Sequence, residues 1–108
     1  MLKKQKETGK YYCGICAAPG IVFLPHGLLD GEACTSYPGF ETEFPNKERC
    51  EERVVVSNKL SIFASIHLYF VVTSRAPGTA MEFAFALAKE LVGAEMAGKV
   101  QKMTLTQF

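Results

Sequence analysis

The chain has 108 residues, 48% of them apolar, with twelve basic against eleven acidic side chains and a net charge of +1. That length suits one small domain with a packed core. The near-neutral balance gives no electrostatic ground for binding nucleic acid or an anionic membrane. Four lysines crowd the first ten positions (Lys3, Lys4, Lys6, Lys10) and read as a solvated helix face. No apolar region follows this basic start as it would in a secretory signal. The longest apolar run, residues 60–72, is shorter than the ~20 residues of a membrane helix and carries Ser61, Ser65 and His67. The expectation is a soluble cytoplasmic chain, with the nucleus as a further compartment, whose four cysteines are reduced.

Residues 2–8 are polar and favour a helix, with Gly9 placed to stop it. Tyr11–Ile15 reads as a strand that runs into Cys16 and turns at once into a short helix over residues 17–24. Pro19 is tolerated in its first turn, and Pro25 and Gly27 end it. Cys16 then sits at a strand-to-helix corner, where free N–H groups and the helix dipole favour a thiolate, as in a nucleophile or redox sensor. Residues 28–31 predict a turn. Residues 32–37 predict a second strand, closed by Pro38 and Gly39, and residues 41–52 a surface loop or short helix. Residues 53–57 hold three consecutive valines and predict a strand, with a turn at 57–59. Residues 60–73 follow neither the helical nor the strand period. A turn-rich link then leads to the strongest helix. Thr79 and Glu82 are spaced as a capping box; Met81, Ala84, Phe85, Ala88 and Val92 share one face; Gly93 ends the helix. Ala94–Met103 is a weaker final helix. This order predicts an α/β layered sheet with too few strands for a complete doubly wound domain.

Cys13 and Cys16 form a Cys-x-x-Cys, but a thioredoxin-like pair needs both at the helix start, and here Cys13 lies within the strand. A zinc site using Cys34 and Cys50 as well lacks the usual second tight pair, so no metal is expected. His26 and His67 are candidates for a Cys–His dyad, though neither has a telling spacing. There is no phosphate-binding glycine motif, and no cofactor is expected. Arg75 beside Pro77-Gly78-Thr79 can hold an anion, a plain turn being the commoner meaning.

Three stretches carry a family resemblance: Ile15-Cys16-Ala17-Ala18-Pro19, then Pro25-His26-Gly27-Leu28-Leu29, then Thr73-Ser74-Arg75-Ala76-Pro77-Gly78-Thr79-Ala80-Met81-Glu82-Phe83-Ala84. They resemble the DJ-1/PfpI superfamily on its DJ-1/ThiJ/YajL side, closest to the plant DJ-1 homologues. The resemblance implies a flavodoxin-like three-layer sandwich, of which this chain is the C-terminal portion with an incomplete sheet. It implies a homodimer, or a heterodimer with a full-length relative. Cys16 would be the oxidation-prone nucleophile on a strained elbow, with Ala17 supplying a backbone N–H to the substrate oxyanion. The activities implied are glutathione-independent glyoxalase chemistry on small reactive aldehydes such as methylglyoxal, protein deglycation, and oxidative-stress sensing. The protease branch has His directly after the nucleophile, where this chain has Ala17.

Three departures from the pattern stand out. The chain begins where the middle of the family domain lies, so the early strands are missing, and with them the Glu that hydrogen-bonds the nucleophile. Tyr37 stands where some relatives have a His near the cysteine. Residues 60–70 read as an eleven-residue insertion in a hairpin, because removing them restores the family length. Together with a Met1 that falls inside a helix, this suggests a gene-model or splice product. The expected consequence is weak or absent catalysis, a non-enzymatic role as redox sensor or dimerisation partner, or an unstable chain.

Overall fold

A computed structural model describes residues 1–29, 32–61 and 67–106. Helix α1 (Leu2–Glu7) leads into strand β1 (Tyr11–Ile15), and the chain then makes two short helical turns, Pro19–Phe23 and Phe40–Glu43. Strands β2 (Val54–Ser61) and β3 (His67–Ser74) follow, and helices α2 (Ala80–Val92) and α3 (Ala94–Met103) come last. The sheet order is β1-β3-β2, with β1 parallel and β2 antiparallel to β3.

The expected turn at 57–59 is not there. β2 runs on to Ser61 and β3 begins at His67. The stretch without a period therefore holds the last two residues of β2 and nearly all of β3, opposed strands whose alternations need not share a phase. The structure does not describe residues 62–66 that join them, nor two residues of the expected 28–31 turn.

One sheet face carries Tyr12, Gly14, Val55, Ser57, Val71 and Thr73, all buried. Against it pack Phe23, Leu28, Leu29, Cys34 and Phe44, with Leu2 of α1 at the margin. Gly14 is needed there, because a Cβ at this position would lie 2.8 Å from Cζ of Phe23. The Phe23 ring in turn meets Tyr12 edge-on, with centroids 5.6 Å apart. The Tyr12 hydroxyl donates to the Leu28 carbonyl. Helix α2 packs on β2 and β3 at the other face, with α3 against α2, and there the Tyr11 hydroxyl donates to Glu90 at 3.1 Å. Burial, and then this carboxylate, raise the pKa of Tyr11.

Residues 32–37, expected as a strand, form no ladder. Residues 32–36 make a strap across the Tyr12 face, with Glu32, Cys34, Thr35 and Ser36 buried. Its polar groups pair with side chains of β2 and β3 and with the Cys50 carbonyl rather than with a strand's backbone. Thr35 N–H donates to Thr73 Oγ1 at 2.9 Å, Thr35 Oγ1 donates to the Cys50 carbonyl at 2.7 Å, and Ser57 Oγ donates to Glu32.

The expected capping box does not form either. Thr79 Oγ1 is held by Ala76 and Ser74, and Glu82 grips Arg53 Nε from both oxygens at 3.0 and 2.9 Å. On α2, Phe85 and Ala88 are half-buried as expected, but Met81, Ala84 and Val92 of the same expected face are exposed, and no α2 residue is fully buried. Gly93, at φ +87°, ends α2 as expected. Among the described residues no helix is long and apolar enough to cross a membrane.

Candidate active site at the Cys16 corner

Cys16 follows directly on β1, at the C-terminal end of the parallel pair β1–β3, the end of an α/β sheet where ligand crevices lie. Its φ is +63°. A non-glycine residue pays roughly 1–2 kcal/mol for that conformation and keeps it only where its surroundings over-determine it. Both of its peptide groups are held. Cys16 N–H donates to the Ser74 carbonyl at 3.0 Å, and the Cys16 carbonyl accepts from Tyr37 N–H at 2.7 Å. The thiol-bearing residue is half-buried.

The element that follows differs from the expected α-helix. It is a five-residue π-helical turn, Pro19–Phe23, whose closing bonds include Leu24 N–H to the Pro19 carbonyl at 3.0 Å. So short a turn carries little dipole, and what marks Cys16 is its strained, clamped backbone. Because the Cys16 N–H is committed to Ser74, it is not free to face a substrate. The next N–H, that of Ala17, has no acceptor among the described residues, as an oxyanion donor requires.

The other expected site residues assemble around this corner in different roles. Tyr37 reaches Cys16 through its backbone; its ring is 46% exposed and stacks edge-on against Phe40, with centroids 6.4 Å apart. Arg75 follows Ser74 and is occupied by the protein itself. Its Nε donates to the Ser36 carbonyl at 3.1 Å, its Nη1 to the Glu51 carbonyl at 3.3 Å, and its Nη2 lies 3.8 Å from Glu41. It braces the strap, and the turn at Pro77–Thr79 is tied up by the Thr79 hydroxyl. Gly20 lets the two short turns touch, since a Cβ there would lie 2.6 Å from Cβ of Phe40.

All four cysteines are free thiols. Cys34 is fully buried, and burial first, then Cys50 and Glu32, push its thiol up to about 12. Burial also raises Cys13. His26 is exposed, and the His67 side chain lies outside the described residues. Among the described residues no cluster of His, Cys, Asp and Glu can hold a metal. An open groove of about 630 Å³ between β2, α2 and α3 includes Arg53, Glu82 and Lys89 but not Cys16. The sequence reading missed the Glu32–Ser57 pair. An acidic residue inside an otherwise buried-looking stretch was the available signal.

Residues 1–90 match the DJ-1/PfpI family. The chain belongs to that family. It is 44% identical over 105 residues to protein DJ-1 homolog A of Arabidopsis thaliana, an alignment that covers 97% of this chain and 24% of that protein. Oxidized DJ-1 of Toxoplasma gondii superposes with a TM-score of 0.82 at 38% identity, over 99% of this chain and 52% of that one. A glutathione-independent glyoxalase of Caenorhabditis elegans is 32% identical over 94% of this chain and 49% of its own length. The chain thus spans about a quarter of the plant DJ-1 relative and about half of the other two. The DJ-1 flavodoxin-like fold expected from the sequence is the fold found, here as a three-stranded sheet with helices.

Proposed function

We propose that Cys16 is the nucleophile of a DJ-1-type reaction on small dicarbonyls such as methylglyoxal. The observation that carries this reading is the residue's φ of +63°, held by hydrogen bonds on both sides. In the first step the thiol adds across the aldehyde. An S–C bond forms, the C=O π pair moves to oxygen, and the thiol proton ends on that oxygen as a hemithioacetal. The Ala17 N–H is available to the developing oxyanion. Conversion to lactate then needs a proton moved between the two carbons and a water to release the thiol, which calls for a general base. None of this chain's acidic residues matches the Glu that serves relatives, so the expected turnover is weak. Lactate is assayed after methylglyoxal is added to the purified chain. Weak formation abolished by Cys16→Ser supports the reading. Formation unaffected by that substitution overturns it, and robust Cys16-dependent turnover overturns the expected impairment.

The oxidized state of the Toxoplasma gondii relative favours a second reading, a redox sensor. Peroxide would convert the Cys16 thiolate to sulfenate with loss of water, and a second equivalent would give sulfinate. Sulfinic acid on Cys16 after mild peroxide, with Cys34 untouched, supports that role in this chain or in its dimer with a full-length relative.

A further inference from the structure

We infer that Glu32 is a positioning residue for Cys16, acting through the strap from the β2 edge of the sheet. The inference rests on reading Cys16 as the reactive thiol. Of the two bonds that clamp Cys16, one comes from the end of β3 and the other from Tyr37, the residue at which the strap leaves the sheet. The position of Tyr37 N–H therefore depends on how the strap is fastened. Its fastenings run in sequence across the three strands. Glu32 is bonded by Ser57 on β2, Thr35 by Thr73 on β3, and Tyr37 by Cys16 at the end of β1, with Arg75 holding the Ser36 carbonyl between them. Glu32 is 1% exposed and Ser57 is 7% exposed. A carboxyl is placed so deeply only where a partner offsets its desolvation, and the Ser57 hydroxyl supplies that bond. The reading of Cys16 chemistry has no use for this pair, which touches neither Cys16 nor Ala17. Its effect on the site is confined to fixing where the strap starts.

The test is alkylation of the 108-residue chain by iodoacetamide, with the Cys16 and Cys13 peptides quantified by mass spectrometry across pH. Glu32→Ala is expected to slow Cys16 about fivefold, the rate equivalent of roughly one lost hydrogen bond. Cys13 should keep its rate. Glu32→Gln retains an acceptor for Ser57 and should restore Cys16 to within about twofold. Ser57→Ala removes the same bond from the other side and must act in the same direction; it carries the test if Glu32→Ala does not fold. A reactive Cys16 that is indifferent to both truncations, or a Glu32→Gln chain that behaves like Glu32→Ala, overturns the positioning role. A wild-type Cys16 that reacts no faster folded than in urea overturns the reading of Cys16, and this inference with it.

Discussion

Cys16 and Cys34 are chemically the same group set against the same strap, and the fold treats them oppositely. Cys34 lies within the strap, fully buried as part of the core, and its thiol is pushed up to about 12. Cys16 lies at the strap's end, half-exposed, with its backbone bent to φ +63°. Burial without a positive partner makes a cysteine a small core residue, whereas a clamped elbow at a strand end makes one available for chemistry. The difference comes from backbone placement.

The largest effect that can break this contrast is at Cys34. At pH 8 its native alkylation should be about three orders of magnitude slower than in the denatured chain, because the thiolate fraction falls with the raised pKa. Equal native and denatured rates would remove the distinction. The same shift predicts alkaline sensitivity. The folded state binds this proton more tightly than the unfolded state, whose thiol titrates near ~8.5. The stabilisation is therefore complete below that value and is lost as pH rises toward about 12. The expected slope is at most ~1.4 kcal/mol per pH unit, and Cys34→Ala should flatten it in denaturant melts.

A smaller effect sharpens the contrast from the other side. Cys16→Gly removes the cost of the left-handed conformation and should raise stability by about 1 kcal/mol while eliminating the reactive site. A neutral or destabilising result would show that the elbow is unstrained. The smallest effect is expected at the hairpin tip. Ser57 and Val71 are directly opposed in the β2–β3 register. Deleting residues 60–70 therefore leaves Asn58-Lys59 as a two-residue connection between an existing pair. We expect the shortened chain to melt within a few degrees of the full one with Cys16 reactivity unchanged, as an insertion into a hairpin would require.

The strand that presents Cys16 was legible from residues alone, because Tyr11–Ile15 is bounded by Gly9 on one side and the Cys16 turn on the other. So was the pair of final helices separated by Gly93. The strap was misread as a strand because its composition is that of a buried extended segment. Only the tertiary positions of Thr73, Ser57 and Arg75 decide that its polar groups pair with side chains. The capping box failed for a similar reason: Ser74 and Ala76 take up the Thr79 hydroxyl, and Arg53, distant in sequence, takes up Glu82. The strained φ of Cys16 followed from the family motif and could not have been found by propensity, which disfavours that conformation for cysteine.

Gly20 has a consequence for the clamp on Cys16. With no side chain there, the turn after Cys16 sits against Phe40, and Phe40 in turn carries the ring of Tyr37. A single methyl group at residue 20 would force this contact to shift, in the turn whose Phe40 N–H donates to the Tyr37 carbonyl at 3.1 Å. The residue whose N–H clamps the Cys16 carbonyl is thus tied, through Phe40, to an absent carbon atom at position 20.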